Sequence, residues 1–334
     1  MEISTVPVHY VNAMLNAAVH RGCSRSAILQ QTGIAPELLE QERARIPAST
    51  FAHFTASIAD ELQDENCGFM DRPFKPGTFA MMCYACIHCP TLGQFLERSI
   101  RFYDLLTDCM SLRLVRDKDF ASYIITPQSG MMDPSHFMSQ VLLGITHRMS
   151  SWLIDQAIVL QSANFTHSRP GYANEYNFLF MAPVKFEQAN NSLRLSANYL
   201  DSPIKQNEQS LEKFLEVPSM QLMSNPDSDR SLVLKVRNMI KDCLQDQFPE
   251  FETVADKLHF TAVTLRRRLR EEGSSYQQIK DDIRRDTAIF NLGRGSMSIE
   301  EVAESVGFSE PTSFFRAFKR WTGVTPRAYI QDRQ

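Results

Sequence analysis

A glycine-rich phosphate loop, a nucleophile elbow and any two histidines four residues apart are all missing from these 334 residues. Thirteen glycines are scattered along the chain, Ser168 follows His167 without the glycines of an elbow, and His147 stands alone on its predicted helix. Nucleotide hydrolysis, acyl transfer by serine and a helical zinc site therefore have no motif to rest on, and an enzyme is not the expectation. No apolar run approaches the roughly eighteen residues that a membrane helix needs. Met1 to Pro7 lack the charged and apolar blocks of a secretory signal. Seven cysteines, an odd number, do not suggest a disulfide framework. These shortages predict a soluble, cytoplasmic chain with no cofactor and no metal.

An excess of positive charge is missing too, since 35 Lys+Arg stand against 39 Asp+Glu for a net of −4. Splitting the chain changes the picture: residues 231–334 carry 17 basic against 15 acidic side chains, leaving 18 against 24 in residues 1–230. The first part is net −6 and would repel phosphate, so any contact with nucleic acid has to be local to the second, which is net +2.

What the second part contains is one pattern written twice, about 48 positions apart. Val254-Ala255-Asp256-Lys257-Leu258-His259-Phe260-Thr261 is answered by Val302-Ala303-Glu304-Ser305-Val306-Gly307-Phe308-Ser309. Each copy reads as a short helix, a tight turn, and a second helix that starts near a Ser or Thr cap and carries a basic face. At 100° per residue, Ala262, Leu265 and Leu269 share a packing face, while Val263, Arg266, Arg267 and Arg270 lie outward. In the second copy Pro311, Phe314, Phe318 and Trp321 pack, and Thr312, Phe315, Arg316 and Lys319 occupy the same outward sector. The second turn is one residue longer. Guanidinium forks suit the paired acceptors of guanine in the major groove and also bind phosphate. Two such helices on one side of a duplex would enter successive major-groove segments, ~34 Å apart, giving a site of nearly two turns per chain.

These residues resemble the DNA-binding domain of the AraC/XylS family of transcription regulators over roughly Leu232 to Tyr329. The resemblance rests on Thr264-Leu265-Arg266-Arg267-Arg268-Leu269, on Arg284 and Ala288 in a joining helix, on Gly307-Phe308, on Phe314 to Arg320, and on Gly323-Val324-Thr325-Pro326. It implies base reading by Val263, Arg266 and Arg267 in the first unit and by Thr312 and Arg316 in the second, with Arg270 and Lys319 beside them. Tyr276, Ile279, Ile283 and Phe290 make an apolar stripe that lets the joining helix bridge both units. One departure is His259 where the second copy has Gly307, since a left-handed turn residue suits glycine better.

The rest of the chain predicts an α+β domain. Residues 8–66 read as helices: Val11, Met14, Leu15, Ala18 and Val19 repeat at helical spacing, as do Phe51, Phe54, Ile58 and Leu62. Ser24 to Gln31 and Pro36 to Gln41 form shorter ones. Ser111–Val115 and Phe120–Ile125 predict a hairpin, Ser135–Ile154 a long helix, Val159–Thr166 a strand, Asn174–Phe180 a short helix, and Pro183–Phe186 with Ser192–Leu195 a strand pair. Pro90-Thr91-Leu92-Gly93-Gln94-Phe95-Leu96, Arg101 to Leu106, and Ala182-Pro183-Val184-Lys185-Phe186 are similar to the arabinose-binding-type effector domain of one branch of the same family. The expected layout is an effector domain over 1–217, a proline-containing linker over 218–230, and an all-α domain of two helix-turn-helix units over 231–334.

An effector site needs apolar lining and a few polar anchors. Tyr84, Phe102, Tyr103, Phe137 and Met138 offer the lining, and His88, Arg101 or His136 could hold a carboxylate, which favours an amphipathic or fatty-acid-like effector. Tyr84, His88, Arg101, Tyr103 and His136 are thus the candidate effector contacts. Cys83, Cys86 and Cys89 leave three readings open: small buried thiols, a metal site lacking its second ligand cluster, or a redox switch. Leu211, Phe214 and Leu215 lie on one side of a helix that either packs at home or pairs with a second chain. The whole reads as a regulator that binds double-stranded DNA under control of a small molecule. The resemblance adds activation of transcription, RNA polymerase as a partner, and a homodimer. The rival is a DNA-repair or modifying enzyme whose acceptor is one of the three cysteines.

Overall fold

A computed structural model describes residues 5–216, 232–244 and 248–330, without the side chains of Asn174, Asn177, Phe178 and Leu234. The expected linker, 218–230, lies outside the described residues. The chain forms two compact units, one of Met1–Asn12, Ser24–Phe54 and Asp227–Gln334, the other of Ala13–Cys23 and Thr55–Pro226. The division read from the sequence put everything before residue 218 in one domain; in the structure the chain's first segments pack with the C-terminal helices.

A three-residue strand β1 (Thr5–Pro7) leads into α1 (Val8–His20), whose Val11, Met14, Leu15 and Ala18 are buried whereas Val19 is exposed. Ser24 caps α2 (Arg25–Thr32) by accepting from the Ala27 amide, and Gly33 ends it with φ 63°. A 3-10 turn (Pro36–Glu40) precedes β2 (Arg45–Pro47), which pairs antiparallel with β1 in the register Thr5↔Pro47, Val6↔Ile46. This small sheet was not foreseen, because three-residue strands show no periodicity. Next comes α3 (Ala48–Leu62), with Phe51, Phe54 and Ile58 buried at spacings of three and four.

The second unit is built on a five-stranded sheet. After α4 (Thr78–Cys86) and α5 (Leu92–Asp104), β3 (Met110–Arg116) and β4 (Phe120–Pro127) form the expected hairpin. Then follow α6 (Phe137–Leu153), β5 (Leu160–Asn164), α7 (Ala173–Phe180), β6 (Val184–Lys185), β7 (Asn191–Ser196) and α8 (Glu208–Leu215). The strand order is β3-β4-β7-β5-β6. β6 pairs parallel with β5, and β7 inserts between β4 and β5, so β6 and β7 are not the neighbours their sequence proximity suggested. Non-local pairing follows from the buried face of each strand, and proximity along the chain does not encode it. Leu211 of α8 is buried and Phe214 stacks on Trp152 at 4.2 Å, so this apolar side packs on its own unit.

The C-terminal helices are α9 (Leu232–Ile240), α10 (Phe251–Lys257), α11 (Ala262–Glu271), α12 (Tyr276–Arg294), α13 (Ile299–Ser305), α14 (Pro311–Thr322) and α15 (Pro326–Ile330). Val236, Val254, Leu265, Leu269, Ile279 and Ile283 make one core cluster around α10 and α11. Around α13 and α14, Val302, Val306, Phe314 and Phe318 are fully buried, with Phe314 and Phe318 rings 5.6 Å apart. Each helix-turn-helix thus has its own core, and α12 runs between them as the joining helix.

Candidate functional site

In α11 and α14 the sequence periodicity is realised as two sided helices. Leu265 and Leu269 are buried at 0% and 1% exposure, and Arg266, Arg267 and Arg270 are exposed beside Val263, which is 74% exposed. On α14, Phe314, Ala317 and Phe318 are buried while Thr312, Arg316 and Lys319 are exposed and Phe315 is half-buried. Pro311, assigned to the packing face, is exposed as the first residue of the helix, where its missing amide costs nothing.

Thr261 caps α11 through the Thr264 amide. The second cap differs from the expectation: Glu310 occupies it without a side-chain bond, and Ser309 lies one residue earlier. The turns run Leu258–Thr261 and Val306–Glu310, the second one residue longer as read. His259 at φ 58° and Gly307 at φ 80° both take the left-handed conformation. They are not interchangeable, because a Cβ on Gly307 would lie 3.3 Å from the Leu244 carbonyl oxygen. Gly307→Ala is expected to lower the unfolding free energy by ~1–2 kcal/mol. His259→Gly relieves the same backbone strain but loosens the unfolded chain, so its net effect is expected to stay within about 0.5 kcal/mol. Urea unfolding of both variants checks the asymmetry.

The basic side chains differ in how they are held. Arg267 Nη1 donates to Glu271 Oε1 at 2.9 Å, an exposed pair one turn apart that a phosphate or base edge can displace cheaply. Arg266 lies over the Phe251 ring at 5.1 Å and Arg268 over Phe260 at 4.8 Å, which orders both guanidinium planes. Val263 offers branched methyls suited to a thymine C5-methyl.

Arg284 carries a role that the spacing did not disclose. Its guanidinium sits 5.0 Å from the Phe248 ring centre and 5.5 Å from that of Phe308. Phe248 packs against the first core and Phe308 against Phe314 of the second, so one cation on the joining helix lies near a ring seated on each core. Burial pulls its pKa down while Asp281 opposes, as expected for a cation enclosed between rings.

Among the sensory candidates the structure gives each a different neighbourhood. Tyr84, on α4, is half-buried. Tyr103, on α5, stacks against Phe74 at 6.0 Å, and burial pushes its hydroxyl pKa up, with Cys83 and Tyr123 adding to it. His88 is exposed and bonded to Glu208 at 2.9 Å, and Arg101 is exposed. His136 precedes α6 with φ 56° and stacks face to face on His167, centroids 4.2 Å apart and 8° from parallel. His167, missed from the sequence, accepts or donates at Nε2 to the Tyr176 hydroxyl at 3.3 Å, with Phe165 and Phe186 packed around Tyr176 at 4.8 and 5.3 Å. Burial lowers the His167 pKa and His136 pushes the same way, against the Ser168 carbonyl. Phe165 and His167 follow β5, which ends at Asn164, with their rings 5.6 Å apart, so no strand alternation signalled them.

Cys83, Cys86 and Cys89 are buried, and Cys83 Sγ lies 3.9 Å from Met149 Sδ. Burial pushes the Cys83 thiol up to about 12 and Cys86 up to about 11, and raises Cys89 as well. That is the reverse of the accessible, low-pKa thiolate that an acceptor or redox cysteine requires. Among the described residues no helix is long and apolar enough to cross a membrane.

Comparison with known proteins agrees with this geometry. The family model of the arabinose-binding domain of AraC transcription regulators matches residues 22–204, and that of a helix-turn-helix domain matches residues 254–332. The ornithine utilization regulator of Pseudomonas aeruginosa is 26% identical over 325 residues, 97% of this chain and 96% of its own. The HTH-type transcriptional regulator VqsM of the same organism is 42% identical over 82 residues, 25% of each chain. The crystal structure of the transcriptional regulator CdpR, also from Pseudomonas aeruginosa, aligns over 96% of this chain and 98% of its own at 20% identity with a TM-score of 0.33. With the first match spanning more than half of its length and the second lying on the paired helix-turn-helix units, this chain belongs to the AraC family of transcription regulators.

Proposed function

We propose that the chain activates transcription by binding a long duplex site through Val263, Arg266, Arg267 and Arg270 on α11 and Thr312, Arg316 and Lys319 on α14. The observation that carries this reading is the pair of exposed basic faces, each following the same helix and turn and each backed by its own core. Arginine forks at those positions can read guanine or grip phosphate, and the shared joining helix fixes them as one reader. Duplexes selected by the protein from a random pool are expected to show a footprint of nearly two turns, about 20 base pairs. A footprint of one turn would refute the paired reading.

Control belongs to a small molecule taken up by the arabinose-binding-type domain. Its contacts are drawn from Tyr84, His88, Arg101, Tyr103 and His136, and the stacked His136–His167 pair makes His136 the strongest of the five. The chemistry of these anchors favours an amphipathic acid. The effector acts only by binding the active and inactive arrangements with different affinity. A homodimer working with RNA polymerase in the cytoplasm, with a linker near 218–230 between the domains, completes the reading.

A further inference from the structure

The joining helix carries a buried charge on its packing face. Its apolar stripe skips one rung between Ile283 and Phe290, and the residue at that rung is Asp286, buried at 5% exposure. Three residues converge on its carboxylate through four hydrogen bonds. Thr5 Oγ1 donates to Oδ1 at 2.6 Å, Arg285 Nε and Nη2 donate to Oδ1 at 3.0 and 2.9 Å, and Arg237 Nη2 of α9 donates to Oδ2 at 2.8 Å. Arg45 completes the set one step out: its Nε donates to Thr5 Oγ1 at 2.8 Å and its Nη2 to the Thr5 carbonyl at 2.9 Å. Thr5 and Arg45 come from β1 and β2, at the opposite end of the chain from Asp286.

The same N-terminal segment reaches the end of the second helix-turn-helix. The Tyr329 hydroxyl donates to the Arg45 carbonyl at 3.1 Å. Gly323, which ends α14 with φ 85°, lies so close to Gln41 that a Cβ there would be 3.2 Å from the Gln41 Cβ. All these residues fall within one compact unit.

We propose that residues 5–12 and 24–54 are a brace built into the DNA-reading unit, engaging Asp286 through Thr5 and Arg45 and the end of α14 through Gln41 and the Arg45 carbonyl, so that this segment positions the second reading helix. Residues that read no base then contribute to how well a two-turn site is matched. A buried carboxylate surrounded by donors holds one geometry, because any displacement leaves charged groups unpaired in a low-dielectric site. The brace is also the part of the chain that runs on, inside α1 and α3, into the effector-binding half. The proposal rests on the DNA-binding reading above.

Its test uses the full chain and three variants, Thr5→Val, Tyr329→Phe and Arg45→Met, the first two mild enough to keep the fold. The probes are the duplex selected by the wild-type protein and a version in which the half facing α14 is scrambled. Each variant is expected to bind the intact duplex about tenfold more weakly while holding the scrambled one within about twofold, and to lose part of the penalty that one inserted base pair imposes on the wild type. A merely structural role would lower both affinities together. Unchanged binding of the intact duplex, or equal losses on both duplexes, overturns the brace. If the wild type selects no duplex, or Arg267→Ala and Arg316→Ala change nothing, the DNA-binding reading itself has failed.

Discussion

Asp286→Ala is expected to lower the unfolding free energy of the DNA-reading unit by about 3–5 kcal/mol, the cost of stranding buried cations without their carboxylate. The magnitude follows from the company this side chain keeps. Arg237 and Arg285 bond it directly, Thr5 donates a hydroxyl, and Arg45 stands behind Thr5, in a site where the Asp286 side chain is 7% exposed. The Arg267–Glu271 pair lies at the surface, and losing it should cost less than about 1 kcal/mol. Asp286→Asn keeps one acceptor oxygen but turns the other into an amide donor and removes the charge, and is expected to fall between wild type and alanine.

The pH dependence has a definite sign. Burial alone would push the Asp286 carboxyl up, but Arg285, Arg237 and Arg45 with the Thr5 hydroxyl outweigh it and hold the carboxyl well below the ordinary carboxylate range. A group depressed in the folded state contributes its full stability above the unfolded value, near pH 4, and loses it as pH falls toward the folded value. Wild type should therefore weaken below about pH 4 by an amount that Asp286→Asn does not show. The chain has two tryptophans, Trp152 and Trp321, and only Trp321 falls in this unit. Urea unfolding followed by Trp321 emission in a Trp152→Phe background isolates the effect, and equal stability of the aspartate and alanine chains would refute it.

Asp286 also marks where the sequence stopped being legible. Tyr276, Ile279, Ile283 and Phe290 announced the joining helix as one apolar stripe, with seven positions between its last two members. A carboxylate at a stripe position is a stronger signal than another isoleucine, since burying it demands partners. Those partners could not be named, because Thr5 and Arg45 sit on strands of three residues about 280 and 240 positions away. The reading helices were legible for the opposite reason. Their packing and outward faces alternate within ten or twelve residues, and the pattern occurs twice, so local periodicity alone separates Leu265 from Arg267. The effector candidates fall between these cases. Aromatic and histidine types were recognised, but what brings His136 onto His167 is the path of the chain from β4 to α6 and from β5 to α7, which no spacing records.

Arg267→Ala and Arg316→Ala are each expected to cost ~1–3 kcal/mol of binding to the selected duplex. On separate helices their losses should add, so that the double variant binds roughly 30- to 10⁴-fold more weakly. Both side chains are exposed, and Arg267 is paired with Glu271 in a surface contact that contributes little and that a DNA phosphate or base edge would displace cheaply. Glu271→Gln frees that guanidinium beforehand and removes a charge that repels phosphate, so it is expected to tighten binding slightly, most at low salt. The pattern of loss distinguishes the two roles of an arginine. A base-reading arginine relaxes the preference at one position of the selected pool, whereas a phosphate contact weakens every duplex alike and lowers the salt slope by about one unit. Arg316→Ala should relax a position in the half of the site opposite to the one relaxed by Arg267→Ala, if α14 and α11 enter different groove segments as proposed. Binding within twofold of wild type for the double variant, or relaxation of the same position by both, would mean that these two faces do not read DNA as a pair.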